Sequence, residues 1–207
     1  MKLAVVTNDV LREEFLATKI PDYANVCFVK TPQNIPADTY IVFDLLFENT
    51  SERISLLKQF LPRPVFINAV TDTLKIIDQP FIRINAWPTF LKSDIKEIAS
   101  LPEQQQTVIE VFTQLGWKYE LIPDITGMVT PRIVSTIINE AYHTLEDNVS
   151  TKDEIDIAMK LGTNYPYGPF EWSKKIGLKN VYDVLNQLRE ENNSYEVSTL
   201  LTNEINV

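Results

Sequence analysis

Five short runs at positions 3–6, 26–29, 41–43, 65–67 and 81–84 are apolar without alternating with polar residues. A strand with one wet face alternates; a strand covered on both faces does not, so these runs predict a parallel sheet buried between layers. Helical stretches lie between several of them. One spans 10–18, and another spans 51–61, where Ile54, Leu57, Phe60 and Leu61 recur at helical spacing. The order is therefore β-α-β alternation. A further helix over 102–115 places Val108, Val111, Phe112 and Leu115 on one face, with Gly116 as its C-terminal cap, and 119–122 reads as a last strand.

The link between the second and third runs is ten residues long and holds Pro32 and Pro36. A helical crossover between adjacent parallel strands needs about a dozen residues or more. The third run is therefore expected on the far side of the first, as in a dinucleotide-binding sheet that lacks its outer βα unit. That makes the sheet a truncated one.

Beyond Pro123 the strand-like runs stop, which places a boundary near 123–128 and divides the chain into 1–124 and 125–207. The second part reads as all-α. Its first helix covers 129–147 with Ile133, Ile137, Ile138, Ala141 and Leu145 turned inward. Thr151 and Glu154 have the spacing of a capping box, in which each side chain satisfies a backbone donor of the other residue. A stripe of Val181, Val184, Leu185 and Leu188 marks the helix 178–191, and Val197, Leu200 and Leu201 suggest a short final one.

A formal charge of −9 leaves no basic field for a phosphate backbone, so a nucleic-acid partner is not expected. The single cysteine, Cys27, reads as a small buried side chain in a reducing compartment. No stretch has the length of a membrane span or of a signal-peptide core, and a cytoplasmic protein is the expectation. His143 alone cannot anchor a metal site. It shares a helix face with Thr136, Glu140 and Asp147 and reads as a solvated surface residue.

Several segments carry a family resemblance. Gly127-Met-Val-Thr-Pro-Arg-Ile133, Asn139-Glu-Ala141, Ile155-Asp-Ile-Ala-Met-Lys-Leu-Gly162 and Tyr165-Pro-Tyr-Gly-Pro-Phe-Glu171 resemble the C-terminal domain of 3-hydroxyacyl-CoA dehydrogenases. Phe43-Asp-Leu-Leu-Phe-Glu-Asn49 resembles that family's fourth strand, and Leu115-Gly-Trp-Lys-Tyr-Glu-Leu-Ile-Pro-Asp124 its run into the second domain. The resemblance implies a Rossmann-like NAD-binding-type domain followed by a helical domain like the C-terminal part of 6-phosphogluconate dehydrogenase. It also implies a homodimer through the helical domain and, as ancestral reaction, NAD-dependent oxidation of 3-hydroxyacyl-CoA in fatty-acid metabolism.

The sequence departs from that pattern where the chemistry should lie. A pyrophosphate-binding turn needs glycine for close backbone approach, yet no glycine precedes Gly116, and Thr7, Asn8 and Asp9 stand in the loop. Lys30 takes the place of the acid that would hold a ribose diol. The family's base, a histidine oriented by a glutamate, falls on Ile84, its serine on Asp72, and its asparagine on Pro131. The catalytic candidates that remain are Asp44, Asp72 and Glu97; Glu48, Asn85 and Arg132 are the substrate-binding candidates, with an acyl-CoA as the implied ligand. An aspartate or glutamate serving as base would need burial to raise its pKa. The expectation is a family member impaired in its chemistry and retained as a dimeric binding or regulatory protein. The alternatives are an active NAD-dependent oxidoreductase with reassigned residues and a purely structural dimer.

Overall fold

The structure, a computed structural model, describes residues 1–193 and 195–205. Two compact units divide it, Met1–Met128 and Val129–Val207.

The first unit is built on a seven-stranded sheet. Its elements in chain order are β1 (Lys2–Val6), α1 (Asp9–Ala17), β2 (Asn25–Val29), β3 (Ile41–Asp44), α2 (Ser51–Lys58), β4 (Val65–Ile67), α3 (Leu74–Ile77), β5 (Ile82–Ile84), β6 (Ile95–Ala99), α4 (Gln105–Leu115) and β7 (Lys118–Leu121). The strand order is β2-β1-β3-β4-β5-β6-β7, so β3 does lie across β1 from β2, as the short link requires. The non-alternating runs are explained by two cores. Leu3, Val5, Ile41, Phe43 and Phe66 face one layer with Phe15, Phe112 and Trp117; Ala4, Val6, Val42, Val65 and Ile67 face the other with Leu57 and Phe81. Aromatic rings bind the first layer, with Phe43 stacked on Phe66 at 4.8 Å and Phe15 edge-on to Trp117 at 5.4 Å.

Three expectations need correction here. The sheet is mixed: β6 pairs antiparallel with β5 and carries β7 parallel to itself. The strand β6 went unpredicted because Lys96 and Glu97 interrupt its apolar run, and a return without a crossover helix between them gives antiparallel pairing. β2 is one edge of the sheet, so Val26, Cys27, Phe28 and Val29 are half-buried where a fully covered strand was expected. Finally, α2 ends at Lys58, leaving Phe60 and Leu61 in the turns beyond it.

The second unit is all-helical, with α5 (Thr130–Glu146), α6 (Lys152–Thr163), α7 (Pro169–Ile176), α8 (Leu178–Glu191) and α9 (Thr199–Ile205). The capping box is present: Thr151 Oγ1 accepts from the Glu154 N–H, and Glu154 accepts from the Thr151 N–H at 3.1 Å. Val181, Val184, Leu185 and Leu188 are buried on α8 as their stripe predicts. The inward face of α5 differs from expectation. Val134, Ser135, Ile138, Asn139, Ala141 and Tyr142 are buried, whereas Ile133 is exposed and Ile137 and Leu145 are half-buried. Counting only aliphatic residues rotated the predicted face, since Asn139 and Tyr142 are inside with polar partners. Among the described residues, no helix is long and apolar enough to cross a membrane.

Candidate functional site

Ligands of open α/β sheets bind beyond the carboxyl ends of the strands, where the strand order reverses. Here that point lies between β1 and β3, and the residues to inspect follow β1, β3, β4 and β5. After β1, one amide at the N-terminus of α1 is already taken. Asn8 is its N-cap, and its Oδ1 accepts the Leu11 N–H at 2.9 Å. Thr7 is buried and donates its hydroxyl to the Asn8 carbonyl, and Asp9 adds a carboxylate to the first turn. A pyrophosphate would need the amide that Asn8 uses and would meet the charge of Asp9. The residues at this turn do not fit a dinucleotide.

After β3, Asp44 is fully buried and held in a bidentate pair by Arg53, whose Nε reaches Oδ2 at 2.7 Å and whose Nη2 reaches Oδ1 at 2.5 Å. The Leu46 N–H donates to Oδ1 as well, at 3.2 Å. Burial pushes the carboxyl of Asp44 above its ordinary range, opposed by Arg53, while nearby Glu48 adds to the rise. The lone pairs a general base would use are occupied by donors, so Asp44 is a structural anchor for the start of α2. Glu48 is exposed in the loop before Thr50, the N-cap of that helix.

After β4, Asn68 knits the strand ends together: its backbone N–H donates to the Asp44 carbonyl, its Nδ2 to the Leu45 carbonyl, and its Oδ1 accepts from the Ala86 N–H. After β5, Asn85 is buried with its Oδ1 near the Trp87 N–H at 3.3 Å. Its own N–H donates to the Glu97 carbonyl at 3.1 Å, and the pairing of Ile84 with Ile98 puts Asn85 and Glu97 directly opposite, on one face of the sheet. Ile84, at the position read for the base, is wholly buried and points to the other face.

A network that sequence reading missed fixes the rest of this end. Arg83 is fully buried, and its guanidinium donates to the Ala69 and Val70 carbonyls at 2.7 and 2.9 Å and to Asp124 at 2.6 Å. Asp124 also accepts the Leu74 N–H, and Gly127 donates to the Val70 carbonyl. The loop holding Asp72 is thereby tied to the stretch after β7. Asp72 itself acts on Arg83 only through its charge. The signal available in sequence was an arginine inside an otherwise apolar strand run, since a charge is buried only when paired.

In the helical unit, Arg132 has an internal partner. It donates to the Tyr195 hydroxyl at 2.8 Å and lies over that ring. His143 is part-buried rather than solvated, with Nδ1 3.1 Å from Glu146. Glu146 in turn accepts from Ser198 Oγ, Thr199 Oγ1 and the Leu200 N–H, which pulls its pKa down to about 2 and seats the start of α9. Asn139 holds the same segment through the Glu196 carbonyl and the Ser198 N–H. The turn between α6 and α7 is closed by Asp156, which accepts the Phe170 and Glu171 N–H groups, while Tyr165 and Tyr167 pack on Trp172. Among the described residues there is no group of three or more metal-ligating side chains.

Residues 127–205 match the family model of the 3-hydroxyacyl-CoA dehydrogenase C-terminal domain. The 3-hydroxyadipyl-CoA dehydrogenase of Escherichia coli strain K12 is 33% identical over 147 residues, which is 70% of this chain and 27% of that protein. A 3-hydroxybutyryl-CoA dehydrogenase of Clostridioides difficile is 39% identical over 85 residues, or 41% of this chain and 30% of that protein. The matches thus span less than a third of the length of these relatives. The crystal structure of an (S)-3-hydroxybutyryl-CoA dehydrogenase from Ralstonia eutropha superimposes with a TM-score of 0.73 at 20% identity, covering 99% of this chain and 93% of that one. That likeness is one of fold, and it embraces the sheet unit as well as the helices. With the family motifs on α5, α6 and α7 in the helical unit, the chain belongs to the 3-hydroxyacyl-CoA dehydrogenase family.

Proposed function

We propose that this chain is a family member impaired in its ancestral chemistry, acting as a dimeric binding or regulatory protein with an acyl-CoA as its candidate ligand. The observation that carries the reading is the capped N-terminus of α1, where the Asn8 side chain takes the Leu11 amide and Asp9 adds a carboxylate. Two further observations support it. Asp44 is spent on Arg53, and Ile84 offers no proton acceptor at the position read for the base. Dimerisation rests on family membership and on the outer side of α6, where Ile157 is 53% and Leu161 82% exposed one turn apart.

Calorimetric titration with NADH and, separately, with acetoacetyl-CoA tests the ligand. No heat with NADH and saturable binding of the CoA ester is the expected result; micromolar NADH binding would overturn the account of α1. Sedimentation at micromolar concentration tests the dimer.

A second reading, an active oxidoreductase with reassigned residues, has one observation in its favour. Glu97 stands opposite Asn85 on one sheet face, and of that pair only the carboxylate can take a proton. Turnover of acetoacetyl-CoA with NADH that vanishes in Glu97→Gln would favour it.

A further inference from the structure

A hollow of the sheet unit has none of the candidate site residues named so far in its walls. It encloses about 310 Å³ and is lined by Lys19, Lys92, Lys96, Lys118, Asp94 and Trp117, with small residues between. Four of the chain's 19 lysines and arginines thus meet in one place on a protein whose formal charge is −9. Among the described residues, Lys19, Lys96 and Lys118 form no ion pair.

Lys96 is the unusual member. It is 4% exposed on β6, and its ammonium donates to the carbonyls of Leu91 and Ser93 and lies 5.5 Å from the centre of the Trp117 ring. An ammonium has three N–H donors, so two carbonyls leave one unassigned. The carboxylates acting on it are Asp94 and Glu14, and Glu14 already accepts the Thr89 N–H at 2.6 Å. Burial lowers the pKa of Lys96 to about 8, against the pull of those two acids. A buried charge without a paired counter-ion is costly, and the cost falls when an anion of matching size arrives. Clefts lined by one sign of charge also concentrate ligands of the other sign.

We propose that this hollow, with Lys96 at its wall and Lys19, Lys92 and Lys118 around it, is a binding site for a small phosphate-bearing anion. Trp117 supplies a flat apolar wall, and its indole N–H is engaged by the Lys19 carbonyl at 2.8 Å. The ligand therefore meets ammonium groups and the Trp117 indole. That chemistry suits either inorganic pyrophosphate or the phosphates of a nucleotide.

The test uses the full chain at low salt, titrated with inorganic pyrophosphate and separately with ADP. Heat is measured by calorimetry and position by the NMR shift of the Trp117 indole N–H. The exposed pair Lys19→Ala/Lys118→Ala should fold normally and weaken binding at least tenfold, and raising the ionic strength should weaken it in the unmodified protein. ADP binding tenfold more tightly than pyrophosphate would assign the site to a nucleotide; equal affinities would assign it to the free anion. Absence of binding for both probes, or binding that the double variant retains in full, would overturn the proposal.

Discussion

The replacement Gly168→Ala measures how tightly the family motif in the helical unit is packed. Gly168 has an ordinary backbone conformation, φ −75, so an alanine there meets no torsional penalty. Space is what it lacks. A Cβ at this position would fall well inside 3.0 Å of Asp156, touching its Oδ1, Cβ and Cγ. Asp156 cannot move freely, because its carboxylate takes the N–H groups of Phe170 at 2.8 Å and Glu171 at 3.2 Å in the first turn of α7. Losing such a cap costs about 0.5–2 kcal/mol, and forcing extra volume into a packed site costs about 1–3 kcal/mol. The sum is about 1.5–5 kcal/mol, or a melting point lower by about 6 °C or more for a unit of this size. Gly162 is the control. It lies within α6, and nothing stands within 4 Å of its added Cβ, so Gly162→Ala should gain about 0.5–1 kcal/mol from the reduced freedom of the unfolded chain. Calorimetric melting of both variants decides the matter, with Asp156→Ala and the double variant Gly168→Ala/Asp156→Ala alongside. The double variant should cost less than the two single costs added, since removing the carboxyl group relieves two of the three close contacts and leaves only the Cβ of residue 156 in the way. If Gly168→Ala melts within a degree or two of the parent, or if the two costs simply add, the packing argument is wrong.

Asp44→Asn should destabilise the sheet unit by about 3–5 kcal/mol, measured by urea denaturation, because it leaves the Arg53 guanidinium, 17% exposed, without its counter-charge. Arg83→Met should raise amide exchange across residues 69–74 and at Gly127, as the carbonyls of Ala69 and Val70 lose their donors. Glu146 has its pKa depressed from 4.5 to about 2 in the folded chain, so its stabilising contribution is complete above 4.5 and is lost as pH falls through about 2. Amide exchange of the first turn of α9 should accelerate over that window, and Glu146→Gln should abolish the acid dependence.

The sheet was legible to the extent that its strands are covered on both sides. Val5 and Val6 point into different cores and both are apolar, so the run they belong to announces itself. The β2-β1-β3 order was legible because a link with two prolines is too short for a helical crossover. β6 was not legible, since it buries Lys96 with its ammonium on the Leu91 and Ser93 carbonyls, and periodicity reports only the apolar part of a strand. In the helical unit the same limit rotated α5: Asn139 and Ser135 lie inside, and no count of aliphatic residues places them there.

The site was legible in its losses rather than in its geometry. The absence of glycine before Gly116 is visible in sequence, but the reason it matters is a hydrogen bond from Leu11 to Asn8 that turns a potential anion site into an ordinary capped helix. Asp44 illustrates the converse. In sequence it is an acid at a strand end, where a catalytic group would stand, and burial raises its pKa as a general base requires. The bidentate Arg53, nine residues on, reverses the inference. A base needs a free lone pair directed at its substrate, and both carboxylate oxygens of Asp44 already face donors, so the same raised pKa reads as the cost of a buried structural pair. It follows that loss of activity in Asp44→Asn would not by itself identify a catalytic residue, and the urea midpoint of that variant has to be measured beside its turnover to separate chemistry from stability.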